Sequence, residues 1–134
     1  MKPPSIKGLK ARLWKEVTHY IKQEAKNQDD YVECYTCDKV LLVGSRDCQV
    51  GHCFNKKAYP YLFYNLDNMR IQCYYCNHFK QGDAINFAVR LIDEIGIRKV
   101  AALWYNRQNP YKRDVKWYQE EIKRWQMLAT QTQS

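Results

Sequence analysis

Cys34-Tyr-Thr-Cys37 and Cys73-Tyr-Tyr-Cys76 form two Cys-x-x-Cys pairs with 35 residues between them. Two intervening residues let both sulfurs of a tight turn reach one tetrahedral ion at roughly 2.3 Å, so the four thiols read as the ligands of one structural zinc. The second pair is expected to open a helix, whose first amides stabilise thiolates. A redox dithiol, or cysteines buried together by coincidence, is the competing reading of either pair alone. Two pairs with a helix after the second favour zinc. Cys48 and Cys53 lie in a strand-like stretch, where free cysteine packs as a small hydrophobe.

Three further segments carry polar groups suited to chemistry: Gln49-Val50-Gly51-His52-Cys53-Phe54, Leu66-Asp67-Asn68-Met69-Arg70-Ile71-Gln72, and Asn77-His78-Phe79-Lys80 directly after the second pair. With these residues the sequence resembles the HNH, or ββα-metal, nucleases. Within that group it is most similar to the phage NinG (Rap) recombination proteins. Cys-x-x-Cys, the Gln-x-Gly-His-Cys/Phe stretch, Gln-Cys-x-x-Cys-Asn and the Leu-Ile-x-x-Ile-Gly helix end carry the similarity, which covers roughly residues 31–105.

The resemblance implies an α+β fold whose centre is a small ββα-metal, treble-clef-like core. It also implies metal-dependent cutting of branched DNA such as Holliday junctions. His52 would be the general base that takes a proton from water. Asn77, set at a helix start by Cys76, would bind a catalytic magnesium or manganese ion that holds the phosphate and the leaving oxygen. Asn68 would brace the loop that orients His52. Two departures from the common nuclease pattern stand out. Asn77 occupies a position that is usually histidine, a mild change because hard cations accept an amide oxygen. Gly51 stands where many such enzymes carry an acidic ligand; Asp47, Gln49, a backbone carbonyl or water are the available replacements.

These residues need elements to hold them. From Ile6 to Lys26, Leu9, Leu13, Trp14, Val17, Tyr20 and Ile21 recur at steps of three and four, which predicts an amphipathic helix over 6–26. Residues 31–105 make the metal-bound core. Val40–Val43 is a short β-branched and apolar run, Gly44–Asp47 has turn composition, and Cys48–Phe54 is expected to return as the second strand of that hairpin. Met69–Gln72 is another short strand. Ala84, Ile85, Ala88, Val89, Leu91, Ile92 and Ile95 form an apolar helical stripe that Gly96 stops. Ile97–Tyr105 is a short helix, and 115–128 a last one, with Trp117, Tyr118, Ile122 and Trp125 as its apolar side. The tail from Ala129 is expected to fray. The whole chain of 134 residues fits one domain.

Composition limits the partners. No segment approaches the ~20 apolar residues of a membrane span. The first thirty residues carry seven basic and four acidic side chains without an apolar run, unlike a secretory signal. The expected compartment is therefore reducing, the cytoplasm of a host cell for a phage protein, which again favours metal over disulfides. The formal charge is +8 with cysteines neutral. Four thiolates around one zinc ion add two negative charges, leaving +6, a balance that suits nucleic acid.

Lys7, Lys10, Arg12 and Lys15 lie early in the chain, and Arg107, Lys112, Arg113 and Lys116 late. Lys56 and Lys57 follow His52, where they suit phosphates flanking a cut. Tyr35, Tyr59, Tyr61, Tyr64, Tyr74 and Tyr75 are candidates to stack on unpaired bases, although core packing accounts for most of them. A four-way junction offers two symmetric strands, so a homodimer would suit it. The same residues also fit a zinc-stabilised nucleic-acid-binding module without chemistry, or a scaffold in a recombination assembly.

Overall fold

The computed structural model describes residues 2–132, which fall into two compact units. One gathers the described residues through Glu24 with those from Tyr111 onward. It consists of α1 (Ile6–Ala25) and the last helix, numbered α4 below (Val115–Thr132). Ser5 caps α1, its Oγ accepting from the Gly8 N–H at 3.1 Å. Asp114 does the same for α4 through the Trp117 N–H at 2.9 Å. Leu9, Leu13, Val17 and Ile21, one turn apart, are buried, as are Tyr118, Ile122 and Trp125. Tyr20 meets Trp125 edge-on at 5.4 Å. The helix runs past Ala129 to Thr132, so 129–132 are helical where a frayed end is expected, and the rest of that tail, 133–134, lies outside the described residues. Thr130 Oγ1 donating to the Gln126 carbonyl at 3.0 Å is part of that last turn.

Residues 25–110 form the other unit, which is mixed α and β. β1 (Tyr31–Glu33) and β2 (Val40–Leu42) are antiparallel, Tyr31 opposite Leu42 and Glu33 opposite Val40. β3 (Gln49–His52) pairs with β4 (Met69–Gln72), from Gln49 opposite Gln72 to His52 opposite Met69. The sequence-based hairpin of Val40–Val43 with Cys48–Phe54 is therefore not formed. The reason lies in the first cysteine pair. The turn from Cys34 to Lys39, closed by Cys34 N–H to Lys39 O at 2.8 Å and by Asp38 at φ 66°, folds β2 back on β1. That leaves β3 for β4.

After Cys73 the chain makes a wide helical turn, Tyr75–Phe79, in which Lys80 N–H reaches the Tyr75 carbonyl. Gln81, Gly82 and Asp83 all take positive φ, and the Gly82 N–H closes on the Cys76 carbonyl at 2.8 Å. This glycine-based stop is why the second pair opens one short turn rather than a long helix. The long helix is a separate element, α2 (Ala84–Ile95), ended by Gly96 at φ 93° and followed by α3 (Ile97–Asn106). The buried face of α2 is Phe87 and Leu91, packed with Cys53, Leu62, Val100 and Leu103. Ile85 and Val89 of the expected stripe point outward, 83% and 61% exposed. The stripe is wider than the surface the other elements cover. Arg90 ties α2 to the first cysteine turn, donating to both Asp38 carboxylate oxygens and to the Tyr35 carbonyl at 2.6–2.8 Å.

Gly51 is fixed by its neighbour across the hairpin. A Cβ there would collide with the carboxamide of Gln72. Gln72 is fully buried, and its Nε2 donates to Thr36 Oγ1 at 3.0 Å and to the Gly82 carbonyl at 2.8 Å. Gly51→Ala is expected to cost about 1–3 kcal/mol in denaturant unfolding, the usual range for overpacking. In a Gln72→Ala background most of that added cost should disappear; an undiminished cost there would locate the clash elsewhere.

Candidate metal centre and adjoining cleft

Cys34 and Cys37 sit on the turn between β1 and β2, and Cys73 and Cys76 follow β4 into the wide turn. Their four sulfurs all lie within 4.8 Å of one another, three of the residues buried and Cys37 exposed. Cys37 Sγ and Cys73 Sγ are 3.8 Å apart, close to the edge of about 3.8 Å that a tetrahedron with ~2.3 Å zinc–sulfur bonds requires. The surroundings suit thiolates. The Cys76 N–H points at Cys73 Sγ at 3.4 Å, and Thr36 Oγ1 lies 3.6 Å from Cys34 Sγ. Burial raises the Cys34 thiol, but the N–H groups of Cys73, Thr36 and Cys37 and the Thr36 hydroxyl outweigh it and bring it to about 6. Cys76 moves the other way, pushed up to about 12 by burial and by the sulfurs around it. Burial raises Cys37 as well. One thiolate is thus easily formed while Cys37 and Cys76 resist, a conflict that a divalent cation among the sulfurs would remove. The donor set, spacing and hydrogen bonding fit a structural zinc. Cys48 and Cys53 lie outside this group, both buried.

Beside the metal centre is an open cleft of about 350 Å³, lined by His52, Cys53, Asn55, Lys56, Lys57, Asn77, His78, Gln81, Gly82 and Ala84. His52 ends β3 and is buried, and its Nε2 donates to the Phe63 carbonyl at 2.8 Å. That bond fixes the tautomer, so Nδ1 carries the lone pair. Burial, aided by the charge of Lys56, lowers the imidazole to about 4 against the pull of the Phe63 carbonyl, so His52 is neutral at neutral pH. Asn77 lines the same cleft, on the turn after Cys76. Asn68 does not enter it. Fully buried, Asn68 accepts from the Phe54 N–H at 2.8 Å and donates to the carbonyls of Phe54 at 3.0 Å and Leu62 at 3.3 Å, pinning the backbone that follows His52.

Gln49, considered in the sequence only as one replacement for an acid, is a hub. Its Oε1 accepts from Asn77 Nδ2 at 2.9 Å and from His78 Nε2 at 3.0 Å. Asp47 is engaged elsewhere, with Lys39 at 2.6 Å and the Tyr74 N–H at 2.8 Å. His78 had no role assigned from sequence, and Gln81 was missed altogether. Adjacency to Asn77 was the available signal for His78; nothing in the pattern marked Gln81. Lys56 and Lys57 do reach the cleft as their place after His52 suggested.

Removing metal from the reduced protein with a strong chelator is expected to unfold residues 25–110, because zinc binding in such small units is folding free energy. Amide-exchange protection at Gln49–His52 and Met69–Gln72 should be lost, and zinc should restore it. Cys73→Ser should reproduce the loss. Unchanged protection after complete zinc removal would show that packing alone holds the hairpin.

No helix among the described residues is long and apolar enough to cross a membrane. No solved structure matches the chain. The chain is 28% identical over 118 residues to the protein ninG of Salmonella phage P22 and 27% identical over 118 residues to the protein ninG of Escherichia phage lambda. Each match covers 87% of this chain and 54% of the relative, so the chain spans about half the length of the curated relatives it matches. A family profile described as bacteriophage lambda NinG protein matches residues 5–133. The four-cysteine centre, with His52 and Asn77 on one cleft beside it, is thus carried by a chain that belongs to the NinG family.

Proposed function

We propose that the chain is a divalent-cation-dependent endonuclease acting on branched DNA, on a zinc-held ββα-metal core made by β3, β4 and the turn after Cys73. The observation that carries this reading is the meeting of a neutral, tautomer-fixed His52 and the Asn77 amide on one cleft that Lys56 and Lys57 also line. His52 Nδ1 takes the proton from a water attacking the scissile phosphorus. Asn68 keeps the segment after His52 in place, and Lys56 and Lys57 hold flanking phosphates. A bound cation would neutralise charge on the phosphate and the leaving oxygen.

The side-chain oxygens of Asn77 and Gln49 would hold such an ion, since hard cations accept amide oxygens; Gln49 Oε1 accepts from Asn77 Nδ2 at 2.9 Å and from His78 Nε2 at 3.0 Å. Turning over the Asn77 amide would present its oxygen to the ion. The ion would be magnesium or manganese. A homodimer would match the two symmetric strands of a junction.

One observation favours a second reading, a binding module without chemistry. The residues lining the cleft include no Asp or Glu, and Gln72 blocks an acid at position 51. Labelled junction, linear duplex and single strands, incubated with and without magnesium or manganese, separate the two. Cation-dependent junction cleavage that His52→Ala slows by about 10²–10⁴-fold, with binding kept, is the expected outcome. Binding without cleavage under any cation would establish the module.

The pH profile adds a second check. A general base works unprotonated, so with His52 at about 4 the cleavage rate should hold as pH falls past 6.5 and decline only as it approaches 4. An acid limb centred near 6.5 that His52→Ala leaves unchanged would assign the base to another residue.

A further inference from the structure

The turn after β4 exposes aromatic rings that the core does not use. Tyr74 is 47% exposed, Tyr75 59% and Phe79 69%. None of them belongs to the apolar cluster of Cys53, Leu62, Phe87, Leu91, Val100 and Leu103. Leaving three large rings in water is unfavourable, and a contiguous exposed patch of this kind marks a contact surface. The rings are also ordered. Tyr75 and Phe79 lie nearly parallel, 28° between planes and 5.6 Å between centroids. Tyr74 and His78 form a second pair at 4.5 Å and 30°, and Tyr74 meets Phe79 edge-on at 5.8 Å. Both pairs are four residues apart, so the wide turn sets one ring above the next.

Cations accompany the rings. Lys80 Nζ lies 5.8 Å over Tyr75. His78, part of the ring set, also lines the cleft with Lys56 and Lys57, so the aromatic surface and the basic cleft adjoin through one side chain. Flat, nearly parallel rings beside cations, on a chain of net charge +8, complement an anionic strand that offers flat bases.

We propose that Tyr75 and Phe79 form a stacking platform for an unpaired nucleobase of the DNA strand entering the cleft. The proposal rests on the DNA reading above and deepens it by naming the feature recognised. Bases inside a duplex have both faces covered, whereas bases at a branch, gap or single-stranded end do not. Stacking is tolerant of sequence, so the platform selects structure rather than sequence. Tyr75, one of the tyrosines suited by composition to core packing or base stacking, lies outside the core.

The test uses the zinc-loaded 134-residue chain and DNA carrying 2-aminopurine either unpaired in a short gap or paired in duplex. Wild type should quench the unpaired probe, leave the paired one unchanged, and bind gapped DNA more tightly than duplex. Tyr75→Ala with Phe79→Ala should abolish the quench and reduce the gapped-to-duplex preference about tenfold, with zinc content and circular dichroism unchanged. Tyr75→Trp with Phe79→Trp should restore both.

Equal affinity for gap and duplex, unaltered by the alanines, would overturn the platform while leaving the DNA reading standing. Absence of binding to either DNA would overturn both. If the alanines instead converted a dimer to a monomer without changing the gap preference, the rings would belong to an interface between copies and the proposal would fail.

Discussion

Four sulfurs confined within 4.8 Å cannot all ionise in an interior unless a cation sits among them, and this constraint organises residues 25–110. The first pair turns β2 back on β1, and the second ends β4 and starts the wide turn. One ion among them would close a loop of the chain between Cys37 and Cys73 that no continuous strand or helix spans. A unit this small buries limited apolar area. Its core cluster of Cys53, Leu62, Phe87, Leu91, Val100 and Leu103 gathers the 53–68 loop with α2 and α3, and the strands depend on other ties. Arg90 to Asp38, Tyr35 to Glu94 at 2.7 Å, and Arg70 to Glu94 at 3.2 Å supply some of them.

Gln72 carries the metal centre's geometry toward the cleft. It touches Thr36 beside Cys34, covers Gly51 one residue before His52, and holds the Gly82 carbonyl at the cleft wall. A side chain that fills the space over position 51 explains why no acid stands there. The polar hub instead forms from the opposite end of β3, where Gln49 meets Asn77 and His78. Burial of His52 keeps it neutral near pH 7.

Much of this was legible in the residues because metal ligands and helical stripes leave local signatures. The two Cys-x-x-Cys pairs and the four helices are of that kind, the last of them running on to Thr132 beyond the expected end at 128; that His52 and Asn77 belong together comes from the family resemblance, and both line one cleft. Strand partners are not. Val40–Leu42 and Gln49–His52 are each short and apolar, and only closure of the Cys34–Lys39 turn decides that they do not pair. The Gln49 hub depends on that register and was invisible beforehand. Composition leaves Tyr74 and Tyr75 among six tyrosines that either stack on bases or pack in the core, and a turn of unusual width exposes these two.

Zinc K-edge X-ray absorption on the reduced, purified chain tests the central claim most directly. The expected result is one zinc per chain with four sulfur neighbours at about 2.3 Å and no nitrogen or oxygen in the coordination shell. A chain that folds without zinc, or a shell in which histidine nitrogen replaces sulfur, would contradict it.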